Sequence, residues 1–446
     1  MSLRDAQRRI PPVHRFFSDP RIAAYETLLG HENVKSVVAA VLDRARGDGA
    51  IPDYDALSTV VLSDLSQEAA ETLRPLINAT GVLLHTNLGR APISQTAWEA
   101  ATESTTGYSN LEYDLAEGRR GSRYSRVSAL LVELTGAQDA IVVNNCAAAV
   151  VLILDTFARA REVVIARNEL IEIGGEFRLP DVFARSGAIL VEVGAANKVY
   201  LRDFERALNA NTALLFRSHL SNFRLSGFTE RVSSADLAAF GARVGLPVVE
   251  DLGSGALIDF KRFGLPHERT VPEAVRDGVD LVAFSGDKLL AGPQAGIIIG
   301  KNAHIARLRE NPLLRALRVD KVTIAVLQET LALYRSEDTL RKIPLFAMLS
   351  ASLEDLHSRA RRYVASLPFI EAVSAQSYVG GGTFPEASVP SVAIAVPDPA
   401  GNLHADLRGR TPPIVARLDA GRALLDLRTI APHDDETVIE ALKAQT

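Results

Sequence analysis

The sequence predicts an α/β protein in which helices cover both faces of a mostly parallel sheet. Through the middle of the chain, short and continuously apolar runs alternate with helical stretches, among them residues 147–159 and 233–244. Strands that are apolar on both faces are typical of parallel sheets buried between helices. The predicted strands are 140–143, 162–166, 188–191, 213–217, 247–250, 281–284 and 296–299.

Two further regions flank this one. Residues 1–75 are expected to be helical, because apolar residues recur at helical spacing in 34–42, before a polar break at 46–50 and Pro52. On composition alone this region is a small helical bundle with a solvated, basic face, whose arginines are Arg8, Arg9, Arg15, Arg21, Arg44 and Arg46. The predicted domains are a helical domain at 1–75, a large α/β domain at 76–310, and a smaller α/β domain at 311–446 with a helical run at 319–334 and a strand at 414–418.

The composition is that of a globular protein. The chain has 446 residues, of which 47% are apolar and 23% charged, enough for more than one domain. No apolar stretch is long enough for a membrane span, and the first residues do not resemble a signal peptide. The single cysteine, Cys146, excludes an intrachain disulfide. We therefore expect a cytoplasmic protein. The net charge of −5 indicates that any polyanion would bind at local basic patches.

The most informative motif is Ser285-Gly286-Asp287-Lys288. It follows the predicted strand 281–284 and precedes a run of small and apolar residues. A lysine at the end of a buried strand is poorly explained as a solvated surface charge, although it can also simply end the strand. A desolvated amine loses its proton readily enough to form a Schiff base. Lys288 therefore indicates pyridoxal phosphate (PLP) as the cofactor.

A carboxylate for the cofactor's ring nitrogen is available upstream of this lysine. PLP acts as an electron sink only while that nitrogen stays protonated, which requires a neighbouring negative charge. Asp251 directly follows the predicted strand 247–250, whereas Glu250 should point to the opposite side of the strand. The alternative is an aspartate that caps the next turn. This alternative is less favourable because a strand-end aspartate, Asp251, precedes a strand-end lysine, Lys288, along the chain.

The cofactor's phosphate requires backbone N–H groups at the start of a helix. The run Asn145-Cys146-Ala147 joins a predicted strand to an alanine-rich helix, and small side chains let a phosphate approach the backbone. Ser285 can add a hydroxyl to the same phosphate. Helix starts of this composition are also common without any ligand, so the pattern supports the cofactor only together with Lys288.

Two more groups follow the predicted strand 213–217. His219 can stack on the cofactor ring or hydrogen-bond to it, and Ser221 can approach from the side. Both lie at the carboxyl end of a strand, where ligands of such sheets gather. A structural histidine is an equally good interpretation of this position.

Arginines form a further pattern. Guanidinium groups bind phosphate or carboxylate through paired hydrogen bonds, although most surface arginines are only solvated. If several converge on one PLP pocket, the substrate is anionic or carries phosphate. The residues concerned are Arg90, Arg119, Arg120, Arg123, Arg417 and the helical i, i+3 pair Arg315 and Arg318.

Several longer runs resemble one family. INATGVLLHTNLGR at 77–90 is highly characteristic, and EYDL, GRRGSR, EDLGSG and SGDK follow at 112–115, 118–123, 250–255 and 285–288. With IPPV at 10–13 and GGGT at 380–383, these runs cover essentially the whole chain. They resemble bacterial selenocysteine synthase, the L-seryl-tRNA(Sec) selenium transferase family.

The resemblance implies a fold, a reaction and partners. The fold would be that of fold-type-I PLP-dependent transferases, with a small helical N-terminal domain that binds tRNA and a smaller α/β C-terminal domain. The reaction would convert L-seryl-tRNA(Sec) to L-selenocysteinyl-tRNA(Sec) with selenophosphate, through a PLP aldimine and an aminoacrylyl-tRNA intermediate. The assembly would be a homo-oligomer, a ring-shaped decamer of dimers, so that tRNA and active site can belong to different subunits.

The resemblance also implies roles for individual residues. Lys288 would be the Schiff-base lysine and the base for the seryl Cα proton, and Asp251 the partner of the pyridinium. Four residues match positions that the family associates with the selenium donor: Arg90, Asp287, Arg315 and Arg318. Cys146 departs from the family pattern, in which we expect a third asparagine, and is not expected to be a nucleophile.

Two alternatives stay open. One is a related PLP enzyme acting on a small amino acid or amino sugar phosphate, such as an ammonia-lyase-like paralogue, for which a long N-terminal helical region has no use. The other is a catalytically silent tRNA-binding or scaffolding protein of the same fold, which the presence of both Asp251 and Lys288 disfavours.

Overall fold

A computed structural model describes residues 11–47, 53–70, 73–173 and 177–444. Arg8 and Arg9, the residues 48–50 of the predicted polar break, and Pro52 lie outside these ranges, as does the start of the IPPV run. Within the part of the chain that the structure describes, no helix is long and apolar enough to cross a membrane.

Helices occupy most of the N-terminal region and alternate with strands through the middle of the chain. In chain order they are α1 (Val13–Phe16), α2 (Pro20–Ala23), α3 (Glu26–Leu29), α4 (His31–Gly47), α5 (Tyr54–Ala70), α6 (Gln95–Thr106), α7 (Ser125–Thr135), α8 (Cys146–Ala158), α9 (Leu179–Ser186), α10 (Leu201–Ala207), α11 (Ser234–Val244), α12 (Val271–Arg276), α13 (Asn302–Glu310), α14 (Leu313–Leu317), α15 (Lys321–Ala332), α16 (Glu337–Leu340), α17 (Pro344–Ser350), α18 (Leu353–Ser366), α19 (Asn402–Arg408) and α20 (Asp435–Lys443).

The strands agree closely with those predicted. In chain order they are β1 (Ile77–Ala79), β2 (Tyr113–Asp114), β3 (Arg119–Arg120), β4 (Asp139–Val143), β5 (Glu162–Ala166), β6 (Glu172–Ile173), β7 (Phe177–Arg178), β8 (Ile189–Val193), β9 (Thr212–Ser218), β10 (Val248–Gly253), β11 (Leu281–Ser285), β12 (Gly296–Gly300), β13 (Glu371–Gly380), β14 (Phe384–Pro397), β15 (Ile414–Asp419) and β16 (Arg422–Asp426). All seven strands predicted for the large sheet are present, as are the helices at 147–159 and 233–244, with ends that differ by a residue or a few.

The chain divides into two compact units. One consists of Met1–Gly81, Leu356–Ser374 and Val392–Thr446, and the other of Val82–Asp355 and Ala375–Ser391. The division into three domains at 1–75, 76–310 and 311–446 stays a prediction.

The first unit contains the N-terminal helices. Apolar residues of α1–α5 share a core of their own that includes Phe16, Val38 and Leu65, each completely buried. The helical interpretation of the N-terminal region is thus confirmed for its described part. In the C-terminal part of this unit, β15 pairs parallel to β1 and antiparallel to β16, and β16 pairs antiparallel to β14.

The second unit contains the seven-stranded sheet, in the order β4-β12-β11-β10-β9-β5-β8. Only β12 runs antiparallel to its neighbours in this sheet, so the prediction of a mostly parallel sheet is confirmed. Every residue of β9 and β11 is buried. The carboxyl ends of β4, β9, β10 and β11 meet at one edge of the sheet, and this edge holds the predicted site residues.

The first residues of helix α8 pack very closely against the neighbouring strand of the sheet. Asn145 is its N-cap, and the Asn145 side chain accepts a hydrogen bond of 2.9 Å from the N–H of Ala148. On the neighbouring strand, a Cβ added to Gly296 would overlap the backbone carbonyl of Asn145 and lie 3.0 Å from the nitrogen of Cys146. Gly296 therefore permits the close approach that places the start of α8.

We expect Gly296→Ala to lower the free energy of unfolding by roughly 1–3 kcal/mol, because the added methyl group must displace backbone atoms of a packed core. It should also weaken PLP binding, since it shifts the helix start proposed to hold the phosphate. Urea unfolding and titration with PLP measure the two effects. Gly381→Ala is the control, because a Cβ there meets nothing within 4 Å. Equal stability of the two variants would contradict the prediction.

Candidate active site

A cavity of about 330 Å³ lies at the carboxyl edge of the seven-stranded sheet. The structure brings most of the predicted site residues to its wall: Lys288, Asp287, Arg90, Asp251, His219, Ser221, Asn145, Cys146, Ala147 and Ser285. Among the described residues, it also places Ser218 and Gln294 there, which the sequence reasoning missed. Ser218 ends a predicted strand and was recognisable by that position, whereas Gln294 lies between two strands in a segment without any distinctive pattern.

Asp251 carries the central charge of the cavity. The thiol of Cys146 donates a hydrogen bond of 3.3 Å to its Oδ1 atom. Although the side chain is partly accessible through the cavity, the surrounding protein raises the pKa of Asp251 by desolvation. The charge of Lys288, the hydrogen bond from Cys146 and the charge of His219 act in the opposite direction and favour the carboxylate.

Cys146 is held in its protonated form. Burial first, and then the negative charge of Asp251, raise the pKa of this thiol well above its ordinary value. Because the thiolate is the nucleophilic form, a thiol in this environment is unreactive near neutral pH. In the structure the side chain of Cys146 is a hydrogen-bond donor to Asp251.

Glycines surround the amine of Lys288. A Cβ placed on Gly253 would lie 3.8 Å from Lys288 Nζ, and one placed on Gly382 would lie 3.6 Å from it. Both glycines have positive φ values, of 64° and 85°, at which side chains are disfavoured. The motif at 380–383 therefore contributes backbone, not side chains, to the surroundings of this lysine.

The residues of the cavity fit PLP. Asp251 can face a protonated ring nitrogen, and Lys288 can bind an aldehyde. The first N–H groups of α8, those of Cys146 and Ala147, have no acceptor within the helix and suit a phosphate. The hydroxyls of Ser218 and Ser221 are buried and have no hydrogen-bond partner within the described residues, as expected where a polar ligand supplies the partner.

Arg90 and Asp287 form an ion pair on the same wall. Arg90 Nη1 donates a hydrogen bond of 2.8 Å to Asp287 Oδ2, and the side chain of Asp287 is 9% exposed. Arg90 has a φ of 62°, a left-handed conformation that is uncommon outside glycine.

Arg315 and Arg318 lie elsewhere in the same unit. They line a second cavity of about 350 Å³ together with Arg120, Arg123 and Glu112. Glu112 accepts hydrogen bonds from both Arg120 and Arg123, and the bond from Arg123 lowers the pKa of Glu112. Within one chain, therefore, the structure does not bring Arg315 and Arg318 to the cavity that contains Lys288.

Comparison with known proteins decides the family. The model of the L-seryl-tRNA selenium transferase family matches residues 76–431, and that of the selenocysteine synthase N-terminal region matches residues 8–46. The chain belongs to the L-seryl-tRNA selenium transferase family. It is 46% identical to the L-seryl-tRNA(Sec) selenium transferase of Moorella thermoacetica, over 99% of this chain and 97% of that protein. It is 45% identical to that of Geobacter sulfurreducens, over 98% of each chain.

A solved structure supports the fold of this selenium transferase family member. D-glucosaminate-6-phosphate ammonia-lyase superposes with a TM-score of 0.60 at 20% identity, over 85% of this chain and 96% of that one. At this level of identity the likeness concerns the fold alone. It confirms the predicted fold-type-I architecture.

The raised pKa of Asp251 predicts a pH-dependent stability. Because this carboxyl binds its proton more tightly in the folded chain than in the unfolded one, its ionisation lowers the free energy of unfolding. The loss begins as the pH rises above the ordinary value of 3.8 and is complete when Asp251 is fully ionised in the folded state. Without cofactor, Asp251→Asn should therefore become increasingly more stable than wild type as the pH rises, while it binds PLP more weakly.

Thermal unfolding of the cofactor-free proteins between pH 4 and 8 measures this difference. Asp259→Asn is a control of opposite sign, since the backbone N–H of Lys261 lowers the pKa of Asp259. That variant should be less stable than wild type by a nearly constant amount across this range, because the contribution of a carboxyl with a lowered pKa is already present above its ordinary value of 3.8. If wild type were more stable than Asp251→Asn throughout this range, the neighbours of Asp251 would fully offset the cost of desolvating its carboxylate, and the prediction would be wrong.

Proposed function

We propose that this chain transfers selenium to L-seryl-tRNA(Sec), giving L-selenocysteinyl-tRNA(Sec), with PLP as cofactor and selenophosphate as donor. The observation that carries the proposal is a single cavity in which Lys288 and Asp251 lie beside the ion pair of Arg90 and Asp287. This arrangement combines groups for an amino-acid cofactor with a cation for a phosphate-bearing co-substrate. Relatives that are 42–46% identical to this chain over nearly their whole length are named for this activity.

Each part of the cofactor has residues suited to hold it. Lys288 would be the covalent attachment point, and Asp251 would pair with the ring nitrogen. The start of α8 at Cys146 and Ala147, with Ser285, would hold the phosphate, and His219 and Ser221 would hold the ring. Bound there, PLP supplies an electron sink for the Cα atom of the seryl group.

Lys288 moves the proton in the proposed reaction. When the amino group of the seryl residue replaces it, the free Nζ can take the proton from the seryl Cα atom. The β-hydroxyl leaves as water, the selenium atom of selenophosphate adds to the β-carbon, and Lys288 returns a proton to Cα. Water then cleaves the P–Se bond, which releases phosphate and leaves the selenol. The glycines Gly253 and Gly382 leave room around Nζ for this movement.

Arg90 is the proposed ligand for the phosphate of the donor. Its side chain is 37% exposed, and its guanidinium can form paired hydrogen bonds to phosphate oxygens while Asp287 fixes one of its nitrogens. Arg315 and Arg318 are also proposed for donor binding. They line a different cavity of the same chain. In the proposed homo-oligomer, a ring-shaped decamer of dimers, those of another subunit could lie beside a donor bound near Lys288.

The N-terminal helices are proposed to bind the tRNA. Their arginines are exposed and largely paired with neighbouring acids: Arg21 with Asp19, and Arg44 with Asp64. Arg15 stacks on the ring of Tyr54, with its guanidinium carbon 4.3 Å from the ring centre. Exposed ion pairs of this kind contribute little to stability, so the guanidiniums can exchange a carboxylate for a phosphate.

Lys288→Ala should abolish covalent cofactor attachment and lower the rate of selenium transfer at least about a hundredfold, because it removes both the attachment point and the base. Borohydride reduction followed by mass spectrometry detects attachment. Conversion of serine-charged tRNA(Sec), analysed as the esterified amino acid, detects transfer. Lys261→Ala, at an exposed lysine, is the control and should leave both unchanged.

The same measurements separate the alternatives. Covalent attachment in Lys288→Ala would overturn the assignment of the lysine. A wild-type protein that binds PLP but leaves the serine unchanged would favour a PLP enzyme of small substrates. A wild-type protein that binds tRNA without cofactor would favour the scaffold.

Arg90→Ala should raise the KM for selenophosphate about 10- to 100-fold, because a charge-assisted contact to the phosphate is lost. Affinity for PLP should not change. Asp287→Asn should have a smaller effect of the same kind, since it only releases the guanidinium. Arg243→Ala, which removes an exposed ion pair with Glu205, is the matched control. An unchanged KM with a lower kcat would show that Arg90 does not bind the donor.

A further inference from the structure

We propose that Glu268 is a positioning residue that fixes the His219 imidazole at the wall of the cofactor cavity. The proposal rests on the function proposed above for this cavity. Glu268 itself is not among the residues that line the cavity, so it would act only through His219.

The two side chains depend on each other. Glu268 Oε1 lies 3.2 Å from His219 Nε2, and the side chains are 6% and 20% exposed. Within the described residues, both atoms are buried and neither forms a hydrogen bond, so their 3.2 Å contact is an ion-pair distance without hydrogen-bond alignment. A buried carboxylate is unfavourable unless a donor compensates it. The imidazole is the group in position to do so.

This contact selects the state of the ring. The partner of one imidazole nitrogen determines which nitrogen carries the proton. A carboxylate beside Nε2 favours a proton on Nε2, and a small rotation of the ring that aligned the two groups would form a hydrogen bond that holds the plane of the ring. In this way Glu268 sets both the tautomer and the orientation that His219 presents to the cavity.

Glu268 lies in a segment that is firmly attached to strand β10. The next residue, Arg269, donates hydrogen bonds of 2.7 and 3.0 Å to the two carboxylate oxygens of Glu250, and lies 2.8 Å from Asp277. Thr270 then caps helix α12. A carboxylate on so short and restrained a segment has little freedom, as expected of a group that orients another.

His219 is fixed from the other side by the same strand. Its backbone N–H donates a hydrogen bond of 2.9 Å to the carbonyl of Asp251, and its carbonyl accepts one of 2.9 Å from Ser221. Glu250 and Asp251 are consecutive on β10 and point to opposite sides. One strand therefore holds the backbone of His219 directly and its ring through Arg269 and Glu268.

A double-mutant cycle tests this role with PLP itself as the probe. Single variants Glu268→Ala, Glu268→Gln and His219→Phe and the two double variants are purified, stripped of cofactor and titrated with PLP. Affinity and the circular dichroism of the bound cofactor are recorded. Glu268→Ala should weaken binding about tenfold and change the dichroism, because a restrained ring is released. Glu268→Gln, whose amide oxygen still accepts from Nε2, should lose less.

The cycle separates positioning from a general loss of structure. In the His219→Phe background, replacement of Glu268 should change neither the affinity nor the dichroism further. An equal loss in both backgrounds, or an unchanged dichroism in Glu268→Ala, would overturn the proposal. If Glu268→Ala does not fold, the Gln variant supplies the same cycle. Glu205→Ala, at an exposed carboxylate, is the control and should bind PLP as wild type does.

Failure of this proposal is distinct from failure of the proposed function. The cycle uses only cofactor binding, so coupling of Glu268 to His219 in a protein that transfers no selenium would support the positioning role and refute the transferase. Selenium transfer without that coupling would support the transferase and refute the positioning role.

Discussion

The carboxylate of Asp251 is the group on which the rest of the site depends. It is enclosed by protein, and its desolvation is opposed by three neighbours: Lys288, Cys146 and His219. These neighbours come from the ends of three other strands of the sheet, so one electrostatic requirement draws together distant parts of the chain. A protonated ring nitrogen would complete the compensation, which explains why a site built in this way suits a pyridinium cofactor and is less stable without one.

Consecutive side chains of strand β10 point to opposite faces of the sheet, and this alternation connects Asp251 to the residues that restrain the site. Asp251 faces the cavity, while Glu250 faces the opposite side and binds Arg269. The ion pair between Glu250 and Arg269 is almost completely buried on the carboxylate side, where a lost partner would leave a strongly unfavourable charge. Its geometry therefore restrains the segment that carries Glu268. Residues on both faces of strand β10 therefore affect the cavity: Asp251 lines it, and Glu250 restrains the segment that carries Glu268.

Local patterns in the sequence were sufficient for much of this structure. Short apolar runs identified the strands, and the residues after them, such as Asp251 and Lys288, could be assigned to one edge because parallel strands share their carboxyl ends. Gln294 and Glu268 could not be found in this way, since each lies in an irregular segment whose position depends on distant contacts. The same limit applies to Arg315 and Arg318, whose helical spacing says nothing about which cavity they line.

Cys146 stands where the resemblance leads us to expect an asparagine, and the structure shows what the thiol contacts there. At this position an amide side chain was expected, and the thiol still supplies a donor to the carboxylate of Asp251. Its backbone N–H is unaffected by the exchange, so the phosphate loses nothing. A sulfur donor is weaker than an amide N–H, which leaves more of the burial of Asp251 uncompensated and places greater weight on Lys288 and His219. If Glu268 positions His219 as proposed, it also supports one of the charges that favour the carboxylate of Asp251.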